Sequence, residues 1–93
     1  MDLKHVEGNQ KRDVRLYALS TCVWCRKTKD FLNKMSIDYY YIDVDGLQGK
    51  ERQEVVNDIM RFNPQCSFPT MVVNKTKAIV GYKEDEMKIV LGL

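Results

Sequence analysis

Two hydrophobic rhythms run along the chain, and the switches between them mark its elements. From Val14 to Leu19 the period is two: Val14, Leu16 and Ala18 face one way, Arg15, Tyr17 and Leu19 the other. That predicts a strand. From Val23 to Lys34 the period lengthens. Thr28, Phe31, Leu32 and Met35 recur at i, i+3, i+4 and i+7, along one side of a helix. Asp30 precedes Lys34 by four residues, the favourable order for a helical ion pair. Ser20 and Thr21 offer hydroxyls suited to capping this helix. The run DYYYIDVD, Asp38 to Asp45, is aromatic and β-branched and predicts a second strand. Gly46 and Gly49 flank a loop. Lys50 to Phe62 gathers Val55, Val56, Ile59, Met60 and Phe62 on one side of a second helix, which Pro64 ends. Pro69 to Asn74 predicts a strand that starts with proline, where a missing N–H is tolerated. Ala78 to Val80 returns as its hairpin partner. Glu84, Asp85 and Glu86 put negative charge at the positive end of a third helix. Met87, Val90 and Leu91 give that helix its apolar side, and Gly92 suits its stop.

Residues 1–13 are polar, with Gly8 and Asn9 as breakers, and read as an N-terminal extension with a short strand around Leu3 to Val6. From Val14 onward the order is β-α-β-α-β-β-α. Its first three elements predict a right-handed parallel crossover, its last two strands a hairpin. The expectation is an α/β domain over residues 14–93, with a four-stranded mixed sheet and three helices.

Composition narrows the function classes. A chain of 93 residues holds one core. A net charge of +2 is too small to argue for nucleic acid. No apolar run is long enough to span a membrane, and the N-terminus lacks the apolar region of a secretory signal. Three cysteines are too few for a disulfide scaffold. A cytoplasmic monomer is expected, with no nucleic-acid or membrane partner. In a reducing compartment a CxxC more often means redox or metal work than a structural staple.

The candidate chemistry sits in CVWC, Cys22 to Cys25. Cys22 falls at the junction of the first strand and first helix, and Cys25 one turn in. Unpaired N–H groups at a helix start carry partial positive charge and stabilise a thiolate. Arg26, Lys27 and Lys29 add positive charge, and Arg26 and Lys27 suit acidic partners or anionic thiols. Cys25 is expected under the helix, from where it would resolve a mixed disulfide on Cys22. Other readings remain. A zinc site needs four ligands, and Cys22, Cys25, Cys66 and His5 would have to supply them. His5, in the polar segment, reads as solvated. An iron–sulfur cluster shared between two chains is a further alternative. Cys66 is either a small packing residue or a second redox thiol.

The motifs CVWC and SFPT (Ser67 to Thr70), with the element order, resemble the glutaredoxin family of the thioredoxin superfamily over residues 14–93. The likeness is to the dithiol glutaredoxin-like proteins of prokaryotes, whose last helix follows a GY or GF pair. Trp24 stands where that family usually has an aromatic, and Val23 where it often has proline. The resemblance implies a thioredoxin-like fold and a thiol–disulfide oxidoreductase. Cys22 would be the nucleophile and Cys25 the resolving thiol, alternating with a redox-active Cys22–Cys25 disulfide and no bound cofactor. Monothiol deglutathionylation through Cys22 is the alternative within redox chemistry. Pro69 would be cis and present the Phe68 N–H and C=O to an extended substrate. Trp24, Tyr82 and Asp85 would line the substrate side. Two departures argue against glutathione. Leu19 stands where glutathione-binding members carry lysine, and Gly81-Tyr82 where they carry Gly-Gly. The missing lysine removes a charge-assisted bond of about 1.5–3 kcal/mol. The expected reductant is another low-molecular-weight thiol or a thioredoxin reductase-like protein, and the expected substrates are disulfides of proteins or small molecules.

Overall fold

The computed structural model describes residues 3–93, and the first two residues of the extension lie outside it. The strands are β1 (Lys4–Val6), β2 (Val14–Ala18), β3 (Tyr39–Asp43), β4 (Thr70–Val73) and β5 (Lys77–Val80). The helices are α1 (Val23–Lys34), α2 (Gly49–Met60) and α3 (Glu84–Leu91), with a 3-10 turn at Val44–Gly46. Strand order across the sheet is β1-β3-β2-β4-β5. β2 and β3 are parallel; the other neighbours are antiparallel.

The sheet therefore has five strands, not the four expected. The added one is the short strand of the extension. Lys4, His5 and Val6 pair with Tyr41, Tyr40 and Tyr39 at the sheet edge. Its side chains are exposed or half-buried, so no apolar alternation announces it. Pairing and one carboxylate hold it instead. Asp38 accepts bonds from His5 Nε2 at 2.9 and 3.0 Å, from the Gly8 N–H at 3.0 Å and from Lys11 Nζ at 3.1 Å. The His5 ring also stacks on Tyr40, with centroids 4.5 Å apart, so His5 is not simply solvated. Gly8 is required here, because a Cβ would lie 2.4 Å from the Ile37 carbonyl carbon.

Alternation along β2 decides the layers. Val14, Leu16 and Ala18 pack with Met71, Val73 and Ile79 beneath Phe31 and Leu32 of α1 and Met87 and Leu91 of α3. Tyr17 turns to the other face and joins Ile42, Val72 and the α2 residues Val55 and Ile59. Each aliphatic side chain so removed from water contributes about 1.5–3 kcal/mol. The result is α1 and α3 on one face and α2 on the other. α3 ends at Gly92, whose φ of 73° is left-handed, and Arg12 Nη2 donates to its Leu91 carbonyl at 3.0 Å.

Candidate active site

Parallel pairing of β2 with β3, and antiparallel pairing of β2 with β4, bring three loops to one end of the sheet. β2 leads into the turn Leu19–Cys22, closed by the Cys22 N–H donating to the Leu19 carbonyl at 3.3 Å. Helix α1 then starts at Val23 with Cys22 as its N-cap. The Cys22 side chain does the capping: Sγ accepts the Cys25 N–H at 3.2 Å. Ser20 and Thr21 do not cap α1. The helix begins one residue too late for Thr21, and the Ser20 hydroxyl donates to Asp45 instead. The same Asp45 carboxylate accepts the Ser20 N–H at 2.9 Å.

The two thiols occupy different environments. Cys22 is half-buried, whereas Cys25 is 0% exposed inside the α1 core. Burial, reinforced by a hydrogen bond with the Cys22 sulfur, pushes the Cys25 thiol up to about 12. Cys25 thus keeps its proton until it reacts. At Cys22 an N–H is aimed at the sulfur and the start of a helix lies behind it. With Cys22 at the N-cap, CxxC spacing puts Cys25 at the third helical position, where its N–H meets the Cys22 sulfur.

The rim is aromatic and basic. Trp24 is 55% exposed and Val23 65%. Trp24 stacks with Tyr82, centroids 6.0 Å apart, and Lys27 Nζ lies 5.0 Å from the Trp24 ring centroid. The Tyr82 hydroxyl donates to Glu84 at 3.0 Å. Tyr82, Trp24 and Lys27 thus form one wall. Arg26 is exposed on the outer side of α1 and Asp85 on the first turn of α3. Lys29 pairs with Asp43 at 3.1 Å and lies 4.2 Å from the Tyr41 ring centroid.

The third loop carries Phe68 and Pro69, joined by a cis peptide bond. Pro69 is buried and Phe68 half-buried, touching both apolar clusters. Asn63, 4% exposed, organises the loop. Its amide donates to Thr70 Oγ1 and Ser67 Oγ at 3.0 Å, and its Oδ1 accepts the Gln65 N–H at 3.2 Å. The backbone of Phe68 takes part in no hydrogen bond among the described residues.

The four candidate zinc ligands are not brought together. His5 is bonded to Asp38 at the β1 edge. Cys66, at a positive φ of 50°, packs against the α2-side cluster, while Cys22 and Cys25 belong to the α1 side. Among the described residues no group of three or more His, Cys, Asp and Glu could hold a metal ion, and no helix is long and apolar enough to cross a membrane. Sequence reasoning missed Asn63 and Asp45. Both are polar residues in loops, and only the fold aims them at the site.

This geometry agrees with comparisons to known proteins. The glutaredoxin family model matches residues 14–77. A glutaredoxin-like 8.6 kDa protein of the rubredoxin operon of Clostridium pasteurianum is 31% identical over 75 residues, covering 80% of this chain and 91% of that protein. The crystal structure of the glutaredoxin from Methanosarcina mazei Go1 aligns with a TM-score of 0.91 at 48% identity, over 100% of this chain and 90% of that one. Methanosarcina acetivorans methanoredoxin aligns with a TM-score of 0.87 at 44% identity, over 92% of this chain and 90% of that one. A dithiol capping the first helix of a thioredoxin-like sheet, in a chain matched this widely, makes the protein a member of the glutaredoxin family.

Proposed function

We propose that the protein is a dithiol oxidoreductase that reduces disulfides of proteins or small molecules, with Cys22 as nucleophile and Cys25 as resolving thiol. The observation that carries the reading is the pairing of a half-buried N-cap Cys22 with a fully buried Cys25 whose N–H points at the Cys22 sulfur. The Cys22 thiolate attacks one sulfur of the substrate disulfide. A Cys22–substrate disulfide forms, the substrate S–S bond breaks, and the second substrate sulfur leaves as a thiolate that takes up a proton. Cys25 then attacks Cys22 Sγ. It loses its proton as it does so, which suits a thiol held protonated by burial. The leaving substrate sulfur takes a proton, and the Cys22–Cys25 disulfide remains. Two electrons have passed to the substrate, and an external thiol or a thioredoxin reductase-like protein returns them.

Substrate recognition in this reading uses the Phe68 backbone beside Pro69 as an extended pairing edge, with Trp24 and Tyr82 as an apolar wall. Arg26 and Lys27 favour acidic partners and anionic thiols. Asp85 is exposed at the start of α3, open to an ammonium group. Glutathione is a poor reductant here. Leu19 supplies no charge, and Tyr82 fills space against Trp24 where a second glycine would leave a ligand backbone room. Free thiols and reducing chemistry fit the cytoplasm, with the protein acting as a monomer in redox homeostasis and electron transfer.

The test is alkylation of the reduced protein with limiting iodoacetamide near neutral pH, followed by peptide mapping. Label should fall first on Cys22. Preferential label on Cys25 or Cys66 overturns the assignment.

A further inference from the structure

We propose that Asp45 is a positioning residue for the Cys22 thiolate, acting on the dithiol through Ser20 from the 3-10 turn that follows β3. The proposal rests on the reading of Cys22 as the attacking sulfur.

Strand register puts the two residues together. β2 and β3 run parallel with Ala18 opposite Asp43. Two residues beyond each, Ser20 and Asp45 leave the sheet side by side. Asp45 sits in the 3-10 turn, which Val44 anchors by being 2% exposed in the α2-side core. From that fixed point the carboxylate accepts both the N–H and the hydroxyl of Ser20. Ser20 is the second residue of the turn Leu19–Cys22, whose closing bond is long at 3.3 Å. A weakly closed turn is thus held from outside, and its last residue is the nucleophile. The turn fixes the direction in which Cys22 Sγ leaves the backbone. That direction determines whether the sulfur meets the Cys25 N–H, the contact that favours a thiolate. Bonds from Ser20 also hold the Asp45 carboxyl below the usual carboxylate range, so the clamp is charged at neutral pH.

The carboxylate acts on the thiolate in two opposed senses. As a clamp it helps, by ordering the turn. As a negative charge near a thiolate it hinders. The variants separate these. Asp45→Asn removes the charge but keeps an oxygen for the Ser20 N–H and an amide that can meet the Ser20 hydroxyl. Asp45→Ala removes charge and clamp together. Ser20→Ala removes only the hydroxyl bond.

The readout is the rate of Cys22 alkylation against pH, followed by peptide mapping on the intact reduced protein. At neutral pH, Asp45→Ala should label Cys22 about three- to tenfold more slowly than Asp45→Asn, the size expected for one or two partly solvated hydrogen bonds. Its profile should shift to higher pH. Ser20→Ala should fall between them, and should add little in the Asp45→Ala background. A role confined to stability would lower the melting temperature and leave the profile in place. Superposed profiles for Asp45→Ala and Asp45→Asn, with Cys22 still the first thiol labelled, would overturn the role of Asp45 alone. First labelling of another cysteine in the unaltered protein would overturn the functional reading, and the Cys22 rates of the variants would still decide the clamp.

Discussion

The β1 edge and the Cys22 end lie on the same sheet and are built on opposite principles. At the edge, one carboxylate collects bonds from His5, Gly8 and Lys11, and a glycine is seated against the Ile37 backbone with no space for a methyl. At the other end, the Phe68 backbone is unbonded among the described residues, Trp24 and Val23 stand exposed, and a 3.2 Å N–H to sulfur contact links the two cysteines. At the edge polar groups close the structure, whereas at the dithiol Asp45 and Asn63 brace the loops from behind and leave the Phe68 backbone and the Trp24 ring open. The lesson is that stability and reactivity are carried by separate regions here, so each can be perturbed alone.

Cys22→Ser should have the largest effect. It should bring reduction of insulin or a small disulfide down to the uncatalysed level, while the melting temperature changes little. Loss of fold in this variant would show that the two regions are not separable. Next in size is the pair Leu19→Lys with Tyr82→Gly. It should raise turnover with glutathione and its reductase about ten- to hundredfold, the equivalent of one charged contact of about 1.5–3 kcal/mol. Fast, saturable turnover with glutathione in the unaltered protein would refute the poor-partner reading.

The edge responds in the other currency. Gly8→Ala forces backbone apart at Ile37 and should lower stability by about 1–3 kcal/mol, with disulfide reduction per folded molecule unchanged. Chemical denaturation and activity measured on one sample would check both halves. Acid should loosen the same edge. The His5 bond, then the Gly8 N–H, with help from Lys11, hold the Asp38 carboxyl down at about 2. An unfolded aspartate titrates near 3.9. A pKa lowered on folding stabilises the fold fully above the unfolded value. Asp38's contribution should therefore be complete above about pH 4 and lost as pH falls toward about 2. Comparing the melting temperatures of the unaltered protein and Asp38→Asn across that range tests it: the gap should close as pH drops. A constant gap would show that the carboxylate's charge does not hold the edge. Smallest of all, Cys66→Ser should leave disulfide reduction within about twofold, since Cys66 packs as a small apolar group on the α2-side cluster. A hundredfold loss with the fold intact would move Cys66 into the mechanism.

The residues of the chain, by their own spacing, determined a good deal. The two faces of β2, the span of α1, the acidic start of α3 and its Gly92 stop are local patterns, and each appears as expected. The place of Cys22 at the strand–helix junction and of Cys25 one turn in is equally local, although the cap itself is Cys22 and not the Ser20 or Thr21 expected. Other features were decided only by tertiary structure. β1 has three residues with no buried side, so its place in the sheet depends on Tyr39–Tyr41 and Asp38, more than thirty positions away. Ser20 looks like a helix cap until parallel register sets Asp45 beside it. His5, weighed as one ligand of a zinc alternative, is taken by Asp38 at the β1 edge, and Cys66 packs on the α2-side cluster whereas the dithiol belongs to the α1 side. Periodicity reports which side of an element is buried. It is silent on which distant element arrives there, because the pairing free energy is spread over many contacts that no single segment contains.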